Sequence, residues 1–124
     1  MAQRRAQGGF PKADPEARAA FETLLPDDPR VRVRPMFGNV AAFVDGNMFA
    51  GVFGADLFVR LDDDSREQLI AEGGARFEPM PGRPMREYVT LPPTWHDDHR
   101  RARGWLERSL DWARTLPPKR TKPS

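Results

Sequence analysis

The sequence predicts an α+β fold: a two-layer domain with a mainly antiparallel five-stranded sheet and helices packed on it, in the order α-β-β-β-α-β-β-α. Three observations predict it. Short apolar runs of strand length are joined by tight turns, above all Asp45-Gly46, which favours a type I′ hairpin. Two segments with helical spacing of apolar residues lie outside those runs, one opening at Asp14-Pro15-Glu16 and one following Pro92-Pro93. Hairpins rather than long crossovers connect the strands, which makes the sheet antiparallel.

Each element has its own local reason. Asp14 is placed to cap the first helix, Pro15 suits its first turn and Glu16 favours its positive end. Ala20, Phe21, Leu24 and Leu25 follow at helical spacing, and Pro26-Asp27-Asp28-Pro29 stops the helix. Val31-Arg32-Val33-Arg34 alternates like a strand, and Pro35 marks an edge, a bend or a bulge. Residues 40–44 resume as a strand, 48–53 return after Asp45-Gly46, and 57–61 follow the turn Gly54-Ala55-Asp56. Asp62-Asp63-Asp64-Ser65 offers several caps for a helix over 65–72, with Leu69 and Ile70 facing inward and Gly73-Gly74 ending it. Residues 76–78 and 86–91 are strands around a proline-rich loop over 79–84. Thr94 and Asp97 resemble a capping box for a last helix running to about residue 116. Ala102, Trp105, Leu106, Ser109, Ala113 and Leu116 make one stripe along it.

The chain has 124 residues, enough for one domain with a modest core. It has no cysteine, which excludes disulfides, thiolate metal sites and cysteine nucleophiles and fits a cytoplasmic location. No apolar run is long enough to span a membrane. Net charge is +2. Arg4, Arg5 and Lys12 at one end and Lys119, Arg120 and Lys122 at the other supply six positive charges, so residues 14–116 hold −4. The basic balance lies in a flexible arm (1–13) and a flexible tail (117–124), and the body between them is a poor general phosphate-binding surface.

The motifs Pro35-Met36-Phe37-Gly38, Phe43-Val44-Asp45-Gly46-Asn47-Met48-Phe49-Ala50 and Asp56-Leu57-Phe58-Val59-Arg60-Leu61-Asp62 resemble the N-terminal domain of TfoX/Sxy proteins. Arg76-Phe77, the run Met85 through Pro92 and the helix around Trp105 extend the likeness over roughly residues 14–116. The resemblance implies a two-layer fold similar to type III secretion chaperones and a regulatory, non-enzymatic role. In this sequence Asn39 stands where family members often carry a second glycine after Met-Phe-Gly. Full-length competence regulators also have a helical C-terminal domain that these 124 residues do not contain, so the implied regulation of DNA uptake carries over only in part.

Reactive-residue chemistry is hard to build from these residues. Ser65, Ser109 and Ser124 sit in no nucleophile turn. His96-Asp97-Asp98-His99 is either a metal motif or a solvated helix start, and Asp62-Asp63-Asp64 is a capping turn rather than an EF-hand. No cofactor is implied. Residues 48–53 are apolar on both sides, Met48, Ala50 and Val52 against Phe49, Gly51 and Phe53, so either both faces are covered within the domain or one meets a partner; a homodimer or protein-partner surface is the reading taken. Met36 and Phe37 form a recognition edge or pack beside a bulge. Arg32, Arg34, Arg60 and Arg86, with Tyr88, form an anion patch if they share a face, and otherwise pair with Glu78, Glu87 and nearby aspartates. The candidate surface is therefore Met36, Phe37, Arg34, Phe49, Phe53, Arg60 and Tyr88. Three functions follow: a regulatory domain acting through protein contacts, a nucleic-acid-associated regulator whose basic tails touch DNA weakly, and a small-anion-binding protein or enzyme.

Overall fold

The computed structural model describes residues 11–36 and 38–119. Asp14 accepts a hydrogen bond from the Ala17 N–H (3.1 Å) and opens α1 (Pro15–Leu24), which buries Ala17, Phe21 and Leu24. Four strands follow as a meander: β1 (Val31–Met36), β2 (Asn39–Val44), β3 (Asn47–Phe53) and β4 (Asp56–Arg60). At the β2–β3 turn Asp45 has φ of 51° and Gly46 of 82°, so both turn residues are left-handed, as a type I′ hairpin requires.

The sheet has six strands, not five, in the order β1-β2-β3-β4-β6-β5, every neighbouring pair antiparallel. The extra strand comes from Pro35, which does not interrupt β1. It pairs with Val40 inside the strand, and the chain reverses only at Gly38 (φ 81°). β1 is an edge strand, where a residue lacking an N–H is tolerated.

Asp62 accepts from the Ser65 N–H (2.9 Å) and opens α2 (Asp63–Ala71). Only Leu69 of this helix is buried; Ile70 is 41% exposed, contrary to the inward orientation expected for it. Neighbouring helical residues point about 100° apart, so a two-turn helix lying on a sheet buries one of them. The next strands are shorter than expected: β5 (Ala75–Arg76) and β6 (Tyr88–Thr90). A 3-10 turn over Pro93–Asp97 then seats Trp95 in the core, and Asp98, not Thr94, caps α3 (His99–Ala113) by accepting from the Arg101 N–H (3.2 Å). Pro92 and Pro93 enforce that extra turn and move the true cap beyond it. α3 buries Ala102, Trp105, Leu106, Ser109, Leu110 and Ala113; Leu116 lies past its end.

Residues from α1, α2 and α3 share one buried cluster with Val40, Ala42, Ala50, Val52, Leu57, Val59 and Val89 of the sheet. Cross-strand register puts those strand residues on one face. The helices thus form one layer and the sheet the other. No helix among the described residues is long and apolar enough to cross a membrane.

Two buried asparagines tie the chain's ends to the sheet. Asn39 donates to the Pro11 carbonyl (2.7 Å) and accepts from the Gly54 N–H (2.9 Å). Asn47 donates to the Pro117 carbonyl (3.1 Å), and the Lys119 N–H donates to the Asp45 carbonyl (2.8 Å). A Cβ at Gly46 would lie 1.9 Å from the Lys119 oxygen, so this glycine is required by close approach as well as by its φ. Residues 11–13 and 117–119, read from the sequence as parts of a flexible arm and tail, are hydrogen-bonded to the sheet; residues 1–10 and 120–124 lie outside the described residues.

Candidate interaction surface

One irregularity decides what the second sheet face carries. Ala42 pairs with Ala50, but the next residue, Phe43, pairs with Met48. β3 therefore holds one extra residue, Phe49, opposite β2. A bulge of this kind turns two consecutive side chains to the same side. Phe49 accordingly joins Ala50 and Val52 beneath the helices, fully buried, while Met48 falls on the opposite face with Phe43. The bulge is held from above: the Ser109 hydroxyl of α3 lies 2.6 Å from the Phe49 carbonyl and 2.7 Å from the Arg60 carbonyl, and accepts from the Arg60 N–H (3.1 Å). Strict alternation along 48–53 is thus broken, and Phe49 leaves the candidate surface for the core.

The helix-free face has two halves. Over β4 and β6 it is closed by the chain itself. Phe58 lies against Gly51, where a Cβ would meet the ring at 2.5 Å. Phe77 stacks on Phe58 (4.3 Å between centroids) and meets Phe53 edge-on (5.4 Å). Tyr88 contacts Phe58 edge-on and donates to the Met48 carbonyl (2.9 Å), bridging from β6 across β4 to β3. Burial pushes the Tyr88 phenol above its usual range. Arg60 lies 5.7 Å from the Tyr88 ring centre and pairs with Glu87 at 2.7 Å. This half is internally satisfied.

Over β1, β2 and β3 the same face carries no helix among the described residues. Register places Arg32 opposite Phe43 and Arg34 opposite Ala41, and the Arg34 guanidinium sits 5.4 Å over the Phe43 ring. On this face Phe43 and Met48 are half-buried and Arg32 and Arg34 are exposed, while Pro35 and Val33 (43% exposed) lie opposite Val40 and Ala42 on the other side of β1. Arg32 donates to the Pro29 carbonyl (2.8 Å). No described carboxylate forms an ion pair with Arg32 or Arg34, although Arg30 next to them pairs with Asp28 and Asp45.

The seven candidates therefore separate. Arg34, Met36, Phe53, Arg60 and Tyr88 belong to the helix-free side by register, Phe49 does not, and Phe37 lies outside the described residues. Arg34 and Arg60 stand three strands apart, about 14 Å at ordinary strand spacing. Arg86 is in a turn rather than on a strand. The arginines thus do not form one anion patch, and Arg60 instead makes the ordinary pairing with Glu87. Phe43 and Met48 were missed, because a one-residue bulge leaves no mark in an all-apolar strand.

The remaining motifs have structural roles. His96 Nε2 lies 3.0 Å from the Ala55 carbonyl, which also accepts from the Trp95 indole N–H (3.2 Å). Burial raises the Asp56 carboxyl above the usual range, and nearby His96 partly offsets this. Among the described residues no three His, Asp or Glu side chains are grouped to hold a metal. Asp62 is a cap, and the hydrogen bonds from Ser65 hold its carboxyl below the usual range.

Among curated proteins, none matches this chain. The profile of the TfoX N-terminal domain matches residues 23–113, a span that opens within α1, contains all six strands and closes at the end of α3. The chain belongs to the TfoX N-terminal domain family.

Proposed function

We propose that this is a non-enzymatic, cytoplasmic regulatory domain that acts through a protein partner seated on the helix-free face over β1–β3. The observation that carries the proposal is the pairing of half-buried Phe43 and Met48 with Arg32 and Arg34, which have no described carboxylate partner. Aromatic, methionine and arginine side chains together are the composition of contact surfaces. Two copies meeting at antiparallel β1 edges would bring Arg32 and Arg34 near their counterparts, which disfavours a homodimer there and favours a partner with acidic groups.

The rival enzyme reading loses its residues. The Tyr88 hydroxyl is committed to the Met48 carbonyl and Arg60 to Glu87, so neither is poised for acid–base work. The body's net charge of −4 likewise argues against general DNA binding.

The test is site-specific photocrosslinking in cells, with a photoreactive residue in place of Arg34 and, as control, in place of exposed Arg103 on α3. A discrete adduct from position 34 alone, lost on adding Phe43→Ser, is expected. Equal adducts from both positions, or none from 34, would overturn the proposal. An adduct of twice the chain's mass would replace the heterologous partner with a second copy.

A further inference from the structure

At the β5–β6 end of the sheet, away from the β1–β3 surface, α2 and the loop before β6 enclose a cleft of about 520 Å³. Three arginines from three segments line it: Arg66 of α2, Arg76 of β5 and Arg86 of the turn before β6. Arg66 is held in place, donating to the Leu61 carbonyl and pairing with Asp63. Arg76 and Arg86 have no ion pair with any described carboxylate. Glu67 is the one other acidic residue lining the cleft. One wall is apolar, made by Ile70, Pro84 and Met85. Ile70 is one of only three large hydrophobic residues exposed among the described residues.

These features call for an occupant. Like charges gathered around one concavity repel one another, and an anion reverses that sign. Guanidinium forks match phosphate oxygens in pairs, and the two forks of Arg76 and Arg86, with the remaining N–H donors of Arg66, suit a group with three free oxygens better than a carboxylate with two. Arg66 and Asp63 offset each other, and Arg76 and Arg86 against Glu67 leave a net charge of +1, so the cleft attracts an anion. The apolar wall gives an attached carbon body a dry surface, and the volume lies in the range of small-molecule sites. We infer that this cleft binds a small organic phosphate monoester through Arg66, Arg76 and Arg86, with its apolar portion on Ile70 and Met85. The inference is independent of the partner surface, which shares none of these residues.

Titration of the whole chain with phenyl phosphate, followed by amide chemical shifts, tests it. Saturable shifts at Arg76, Arg86 and Ile70 are expected, with inorganic phosphate and phenylacetate binding more weakly. The double variant Arg76→Gln, Arg86→Gln should lose about tenfold or more in affinity, with an unchanged thermal midpoint because both side chains are exposed. Ile70→Ser should weaken phenyl phosphate and leave inorganic phosphate alone. No saturation below about 10 mM, shifts confined elsewhere, or full binding by the arginine double variant would overturn the site. Equal binding of phenylacetate would overturn the phosphate assignment, and equal binding of inorganic phosphate the role of the apolar wall.

Discussion

The two faces of this sheet are built from the same kind of residue and end up in different states. Beneath α1 and α3, Phe49, Ala50, Val52, Leu57 and Val59 are all fully buried. On the other side, Phe58 is as deeply buried, but beneath Phe77 and Tyr88 rather than a helix, and over β1–β3 no helix lies across among the described residues. Apolar content alone therefore does not tell which face is core. What tells them apart is whether an element of the same chain lies across. The helix face is closed by three helices inward of the β1 edge, and the opposite face is closed locally by an aromatic stack and left half-open beside it.

Truncating one phenylalanine on each face separates the two most strongly. Phe49→Ala should cost about 3–5 kcal/mol, the usual range for emptying a large buried site, because its ring is fully enclosed and its backbone is the bulge. Phe43→Ala should cost about 1 kcal/mol, since a half-buried ring returns only part of its surface to water. Urea unfolding of both variants checks this. Equal losses would mean that the helix-free face is as much core as the other.

Much of this contrast was legible in the sequence, and the missing part has a definite cause. Asp14, Pro15, Asp45-Gly46 and the α3 stripe act within a few residues of themselves, so their consequences were readable in order. Phe49 was not, because a bulge is a mismatch between two strands and neither strand alone records it. Pro35 was left open between an edge, a bend and a bulge for a related reason: which one applies depends on whether its strand is an edge, as it is, and only the assembled sheet decides that. Asn39 looked like a departure from a glycine position. In the fold it is the latch that joins Pro11 to Gly54, a contact spanning 28 residues in one direction and 15 in the other. The candidate surface was legible as a set of residue types but not as a place. Its members were sorted onto faces by register, and Arg86 proved to line a cleft with Arg66 and Arg76 rather than a face with Arg34 and Arg60.

A smaller loss should follow from cutting the link between helix and bulge. Ser109 is fully buried on α3, and its one hydroxyl serves the Arg60 N–H and the carbonyls of Phe49 and Arg60. Ser109→Ala leaves those backbone groups short of a partner in a dry site, which costs about 1–3 kcal/mol. Ser109→Thr would keep the hydroxyl but add a methyl group to a closed contact, so it should rescue only in part. Amide exchange should localise the damage: the Arg60 N–H, protected in the parent protein, should exchange faster in Ser109→Ala than its neighbours Val59 and Leu61. Uniform acceleration across the sheet would instead mean that the hydroxyl contributes to global stability without holding the bulge in particular.

The mildest effect concerns neither face directly but the helix that covers the β5–β6 end. Asp62 caps α2, and hydrogen bonds from Ser65 keep its carboxyl below the usual range. A group whose pKa is lowered by folding stabilises the fold while it is ionised in both states. That contribution is complete above the ordinary aspartate range and fades as pH falls through the depressed folded value. Asp62→Ala should therefore cost about 1 kcal/mol near neutral pH, the usual worth of an N-cap. The gap between parent and variant should then narrow steadily in acid. Asp62→Asn keeps a capping oxygen without the charge, so it should fall between the two near neutral pH and show less of the acid dependence. Because the site is close to solvent, added salt should trim the charge-dependent part and leave the hydrogen bond. If the gap between parent and Ala variant stays constant from neutral to strongly acid pH, the carboxylate's charge contributes nothing to capping α2. The cleft beside that helix would then owe its order to packing on the sheet through Leu69.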